Sequence, residues 1–322
     1  SRFTTSSLSR AMTIPLNSPD PARSSPGASL LTWLQLVRLP TVFTALADVL
    51  LGGLLVDADW TTGTTGLLLL ASTGMYLSGM VFNDIFDRGR DSIQRPGRPL
   101  PSGRISPTAA AGLGTLLMGG GLVSAAATGT AGLVVAAALA ACVLVYDGVL
   151  KTTVLGPIAM GACRSLNVLL GATAAGSLTA LATATPIHVA TGLGIYITGV
   201  TWFARDEAST SRTGQLRGAM LVINVGLATL ILFAANQTVG NNRTAVLLLL
   251  ALIVASINRR LLAALRDPQP ARVQAGIRLL LLSLVMLDAT LAMAKTGQTD
   301  PALVIASLLI PALVLRRWIP MT

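Results

Sequence analysis

Residues 83–105 read NDIFDRGRDSIQRPGRPLPSGRI, three aspartates and five arginines placed between two apolar runs. The run 66–87 leads into this stretch and 107–127 leads out of it. Each is long enough to cross a bilayer, which takes about 20 mostly apolar residues. A polar island this dense, at the junction of two hydrophobic helices, is expensive to keep beside a membrane unless it has chemistry to do.

Outward from that island the chain is apolar nearly throughout. Of its 322 residues 52% are hydrophobic and 11% are charged, and the mean hydropathy is +0.71; an ordinary soluble domain has roughly 25% charged residues. The composition specifies an all-α, multi-pass integral membrane protein. Candidate spans fall at 39–57, 66–87, 107–127, 130–147, 155–177, 187–206, 216–235, 244–263, 274–295 and 301–317. Residues 1–28, rich in Ser, Pro and Arg, read as a disordered segment and make a poor secretory signal, which leaves 29–322 as one transmembrane domain.

The formal charge of +10 raises the question of nucleic acid, and the placement of the charge answers it. Arg38, the five arginines between 88 and 104, Lys151, Arg205, Arg212, Arg217, the arginines from 259 to 278, Arg316 and Arg317 all fall on alternate loops. That is the positive-inside pattern, so both termini and the acidic loops are expected in the cytoplasm, with a bacterial inner membrane as the setting. No nucleic-acid partner is expected. Cys142 and Cys163 both lie inside spans and read as small packing residues rather than as a disulfide framework or metal ligands.

Several ionisable residues sit within the spans. Asp48, Arg164 and Asp288 are each costly in hydrocarbon and are expected to face a partner or a cavity rather than lipid. Arg164 and Asn167 stand at i, i+3 on one helix face. Asp48 reads equally well as a helix–helix hydrogen-bonding residue and as part of a site. His188, the lone histidine, reads as an interface residue at the end opposite the acidic loops.

Asp84, Asp87 and Asp91 share one face if the helix runs through them. Pro96, Pro99 and Pro101, with Gly97 and Gly103, then forbid helix and impose a structured loop. A second acidic turn, Asp206 and Glu207, falls on the same side of the membrane, as do Tyr146 and Lys151. Carboxylates among arginines contradict one another electrostatically unless something bridges them. Mg²⁺ held by carboxylates and a diphosphate held by Mg²⁺, Arg and Lys resolve the contradiction. A diphosphate on a long apolar tail, a prenyl diphosphate, matches both the charges and the hydrocarbon bundle behind them.

The sequence resembles the UbiA-type intramembrane prenyltransferase superfamily. Its NDxxDxxxD signature stands intact as Asn83, Asp84, Asp87 and Asp91. Its RPLPSG-like loop is Arg98 to Gly103, its Tyr/Lys element is Tyr146 and Lys151, and its first-helix Arg and Pro are Arg38 and Pro40. The texture around YDGVLK and MGACRSLN is also similar to the EboC-like bacterial subgroup. The resemblance implies nine core transmembrane helices around a central cavity, to which 301–317 would add a tenth. It also implies Mg²⁺-dependent prenyl transfer to a lipophilic or aromatic acceptor within the lipid.

On this reading Asp84, Asp87, Asp206 and Lys151 are the catalytic residues, and Asp84, Asp87, Asp91, Asp206 and Glu207 hold the metal. Asn83, Arg98, Tyr146, Arg164, Asn167, Arg38, Asp48 and Arg212 contact substrate. One departure stands out: the family's second motif, DxxxD, is here Asp206 followed four positions later by Thr210. Either Glu207 or Asp288 replaces the missing acid, or the second metal site is weak. A weak site would leave a protein that binds prenyl lipids and transfers poorly. An ion-coupled transporter would account for Asp48, Arg164 and Asp288, but not for the motifs gathered on one face.

Overall fold

The computed structural model describes residues 29–208, 210–237 and 242–319, so the expectation for 1–28 falls outside the described residues. These residues form helices and turns only. In chain order the helices are α1 (Leu30–Leu36), α2 (Val42–Leu55), α3 (Gly63–Phe86), α4 (Arg88–Gln94), α5 (Pro107–Ala127), α6 (Thr130–Val145) and α7 (Gly156–Ala172). They continue as α8 (Leu178–Leu181), α9 (Ala184–Phe203), α10 (Thr213–Asn236), α11 (Arg243–Arg266), α12 (Pro270–Thr296), α13 (Asp300–Ser307) and α14 (Leu309–Trp318).

Local chemistry sets several of the starts. Side chains of Ser29, Thr62, Ser106 and Ser177 accept from backbone N–H groups in the first turns of α1, α3, α5 and α8. Pro107 and Pro270 open α5 and α12, at positions where the missing N–H costs nothing.

Among the described residues eight helices are long and apolar enough to cross a membrane, or nine when α1 and the segment Leu39–Leu55 are joined as one span bent by 47°. The expected span at 107–127 coincides with α5, and the one at 301–317 appears as α13 and α14, broken at Leu308. The expected span at 187–206 appears as α9, which has 20 residues but is not among the eight. With His188 and several threonines it is only weakly apolar. It packs between α7, α10 and α12, and protein rather than lipid covers most of its surface.

Close helix approach positions the interior. A Cβ at Gly52 would collide with the Val168 carbonyl, and one at Gly171 would collide with the backbone of Val49. These glycines let α2 and α7 meet backbone to backbone, as small residues do in membrane bundles, and this brings Asp48 against α7. The loops sort by end. Contacts between Arg104 and Gln35, Lys151 and Asp87, Arg205 and Thr152, and Arg95 and Glu207 gather the arginine-rich turns at one end of the bundle. At the other end Lys295 pairs with Asp57, and Asn242 donates to the Gly297 carbonyl.

Candidate functional site

The arginine-rich end is organised around the break between α3 and α4. The helix does not run unbroken through the three aspartates. It ends at Phe86, Asp87 forms the junction, and α4 resumes with the Asp91 N–H bonded to the Asp87 carbonyl at 2.8 Å. The three carboxylates take different partners: Asp84 and Asp91 pair with Arg98, and Asp87 pairs with Lys151 and Arg90.

Asp84 and Asp91 meet at Arg98. Its Nη1 lies 2.5 Å from Asp91 Oδ2 and 3.4 Å from Asp84 Oδ1, and Arg38 Nη2 lies 2.6 Å from the same Asp84 oxygen. The proline-rich loop aims Arg98 inward. Leu100 and Ile105 sink into an apolar cluster with Leu36, Val42 and Val81, and Gly103 takes the left-handed turn (φ 72°) that closes the loop. Burial, with the Arg38 charge alongside, lowers the Arg98 guanidinium below its ordinary value. Arg38 itself has φ 49°, a left-handed conformation uncommon outside glycine, at the bend between α1 and α2. Such strain concentrates at functional sites, and here it delivers a guanidinium to Asp84.

Asp87 faces Lys151 at 2.8 Å and Arg90 at 2.9 Å. Lys151 also donates to the Asn83 side chain at 3.2 Å, and Asn83 in turn donates to Asp84 at 3.4 Å, which ties the two halves together. Lys151 owes its position to a wide turn. Tyr146–Leu150 is a single π turn, closed by the Lys151 N–H on the Tyr146 carbonyl at 2.9 Å, a feature often found at functional positions. Tyr146 is half-buried at the start of this turn and Asp147 is buried within it.

The second acidic turn faces the first, as the sequence leads one to expect, through Glu207. Its carboxylate lies 3.5 Å from Arg95 Nη2, and its backbone carbonyl accepts from Gln274 of α12 at 3.4 Å. Asp206 is half-buried, its carbonyl accepting from the Ser211 hydroxyl, and Thr210 is exposed. Asp288 does not complete this motif. It lies fourteen residues beyond Gln274 on α12, about 21 Å of helix away. Arg212 is exposed at the start of α10 and makes no ion pair among the described residues.

The remaining candidates form a separate, deeper cluster. Arg164 Nη2 lies 2.7 Å from Asp48 Oδ1 and 3.6 Å from Asp288 Oδ2, and donates to the Thr44 carbonyl at 3.0 Å. Asn167 donates to Asp48 at 2.9 Å and accepts from Ser72 at 2.7 Å. Ser72 and Asp84 are twelve residues apart on α3, about 18 Å of rise, so this cluster is distinct from the first.

Four contributors were not singled out from sequence: Arg90, Arg95, Thr44 and Ser72. Only Arg90 had a local signal, its i, i+3 spacing from Asp87. Among the described residues no three acidic, histidine or cysteine side chains converge as a metal-binding group. The carboxylates at the arginine-rich end are instead held apart by cations. Their chemistry nevertheless fits a hard divalent ion, because every donor is a carboxylate oxygen.

The model of the UbiA prenyltransferase family matches residues 41–273. Among curated proteins, the digeranylgeranylglyceryl phosphate synthase of Saccharolobus solfataricus is 32% identical over 146 residues, 44% of this chain and 51% of that protein. The chain thus spans about half the length of this relative. Two solved structures share the fold. A UbiA homologue from Aeropyrum pernix K1 superposes with a TM-score of 0.67 at 21% identity, covering 78% of this chain and 96% of that one. A homologue from Archaeoglobus fulgidus, solved with GPP and Mg²⁺, gives 0.63 at 15%, covering 86% and 99%. The family match extends over more than half of the 322 residues and takes in both acidic turns, Lys151 and Arg164: the chain belongs to the UbiA prenyltransferase family.

Proposed function

We propose that the protein transfers a prenyl group from a prenyl diphosphate to a lipophilic or aromatic acceptor within the membrane, with Mg²⁺ as its cofactor. One observation carries the reading: Arg38, Arg98, Arg90 and Lys151 interleave with Asp84, Asp87 and Asp91 at one end of an apolar bundle. This arrangement accepts both an anion and the metal that accompanies it. Asp84, Asp87 and Asp91, with Asp206 and Glu207 opposite, would hold Mg²⁺, which when bound would neutralise diphosphate oxygens and improve the leaving group.

The chain's own groups do the rest. Arg38, Arg98 and Lys151 are positioned to leave their carboxylates for the more highly charged diphosphate and to stabilise the charge that develops as the allylic C–O bond breaks. Asn83 holds Lys151 beside Asp87. The apolar helices would keep water from the allylic cation until the acceptor attacks it. The name of the Saccharolobus relative and the ligands of the Archaeoglobus structure support this substrate class. Under the positive-inside tendency the acidic end faces the cytoplasm, with both termini on that side, in a bacterial inner membrane; the relatives named above are archaeal.

The test is direct. Membranes containing the protein, given labelled allylic diphosphates, Mg²⁺ and a panel of lipophilic and aromatic acceptors, should form prenylated product that EDTA abolishes. Asp84→Asn and Asp87→Asn should each lower product about 100-fold in protein that still folds, as a cooperative melt shows. Product that persists in both variants would sink the proposal. Thr210 favours a second reading, a binder of prenyl lipids with weakened transfer, because it leaves the second acidic turn one carboxylate short of the family pattern. If the parent binds but does not turn over and Thr210→Asp restores product, that second reading stands.

A further inference from the structure

The chain has two cysteines, and the fold brings them into contact. Cys142 lies on α6, one turn before Tyr146, and Cys163 lies midway along α7; their Sγ atoms are 3.3 Å apart. Both are free thiols. Cys163 is buried, whereas Cys142 is only half-buried, on a helix that leaves most of its surface outside the protein interior. Cys142 also directs its thiol at the Ala159 carbonyl at 3.5 Å, which keeps its side chain turned toward α7. A bond of about 2.05 Å requires the sulfurs to close by little more than an ångström.

The position adds meaning to the contact. The segment between the cysteines contains the whole π turn and Lys151, whose ammonium holds Asp87 and Asn83. Closing a bond between residues 142 and 163 would make a covalent ring of α6, the turn and α7.

We propose that Cys142 and Cys163 are a redox-active pair that closes to a disulfide, with a lipophilic quinone as the oxidant. The two S–H groups give up two protons and two electrons as the S–S bond forms. The quinone takes up both to become the quinol, and a dithiol returns the pair to its reduced state. Cys142, half-exposed on its helix, is the thiol that the membrane-dissolved oxidant reaches first.

The experiment uses the full chain in lipid nanodiscs, treated with a fully substituted short-chain benzoquinone, which thiols do not alkylate, and in parallel with diamide. After denaturation, maleimide mass-tagging counts free thiols and peptide mass spectrometry looks for the bridged peptides. The expected result is that both thiols disappear together, that a 142–163 crosslinked peptide lighter by two hydrogens appears, and that dithiothreitol reverses both changes. Cys142→Ser and Cys163→Ser should each keep the remaining thiol taggable under the same treatment. Thiols that stay free in the parent, that disappear one at a time, or that pair only between chains overturn the proposal. Because the readout is made on the parent protein, a variant that fails to fold does not obscure it.

Discussion

The two polar clusters lie on some of the same helices at different depths and are opposite in charge logic. At the arginine-rich end four cations face three carboxylates, and every one of those carboxylates has a charged partner within 3.4 Å. In the interior two carboxylates face one guanidinium. Asp48 and Asp288 are 0% exposed, and Asp288 Oδ1 and Oδ2, Arg164 Nε and Asp48 Oδ1 have no hydrogen-bond partner among the described residues. Asp48 Oδ1 is close to Arg164 without the alignment of a hydrogen bond. The upper cluster has an excess of cation and touches solvent through Arg38 and Arg90, so it can exchange partners for an anion. The lower one has an excess of acid, its two carboxylates have no exposed surface and Arg164 is only 9% exposed, so its groups depend on each other.

That dependence predicts the largest effect. Breaking a buried ion pair by removing one partner costs roughly 3–5 kcal/mol, because the other charge is left uncompensated, whereas replacing the whole set by apolar residues is often neutral. Arg164→Leu should therefore destabilise the protein by about that amount, read as the midpoint of SDS-induced unfolding in mixed micelles. The triple variant Asp48→Leu, Arg164→Met, Asp288→Leu should recover most of the loss. A triple variant no more stable than Arg164→Leu would mean that the cluster is not a closed charge network. If the variants that fold also keep transfer activity, Arg164 and Asp48 leave the list of substrate contacts.

The upper cluster should behave differently when a cation is removed. Lys151 and Asp87 are each about 10% exposed at the side chain, but Asp87 retains Arg90, whose side chain is 51% exposed. Lys151→Met should lower the unfolding midpoint by less than Arg164→Leu does, because Asp87 keeps its half-exposed partner Arg90 and is not left uncompensated. Product formation should fall about 10-fold, through lost stabilisation of the leaving group. Loss of stability in step with loss of activity would mean that Lys151 is a structural pin. The comparison between the two clusters would then fail.

How much of this was legible in the sequence follows the same division. Helix positions were readable because about 20 apolar residues in a row have little choice near a membrane, and the expected 107–127 is α5 to the residue. The loop from Arg98 to Gly103 was readable because proline and glycine rule out helix there. The break at Asp87 was not: no proline marks it, and Lys151, which pairs with this carboxylate, comes from a turn more than sixty residues away. The meeting of Asp48, Arg164 and Asp288 was also out of reach, since sequence shows that each needs a partner but not which helix supplies it. The sulfur contact between Cys142 and Cys163 depends on the rotation of α6 against α7, which an apolar run does not encode.

The smallest predicted effect concerns the seam between the two acidic turns. Arg95 and Glu207 are 3.5 Å apart, with side chains 40% and 34% exposed, so the pair itself contributes at most a few tenths of a kcal/mol. Glu207→Gln should leave the unfolding midpoint in place. If Glu207 substitutes for the acid missing at Thr210, the same change should raise the Mg²⁺ concentration needed for half-maximal product by about 10-fold, the lower range for loss of a metal-supporting group. Thr210→Asp combined with Glu207→Gln should then restore the Mg²⁺ requirement of the parent, because a carboxylate returns to the same turn. If Glu207→Gln leaves the Mg²⁺ dependence unchanged, Glu207 serves only to hold Arg95, and the metal load falls on Asp84, Asp87 and Asp91, with Asp206 as the sole acid opposite.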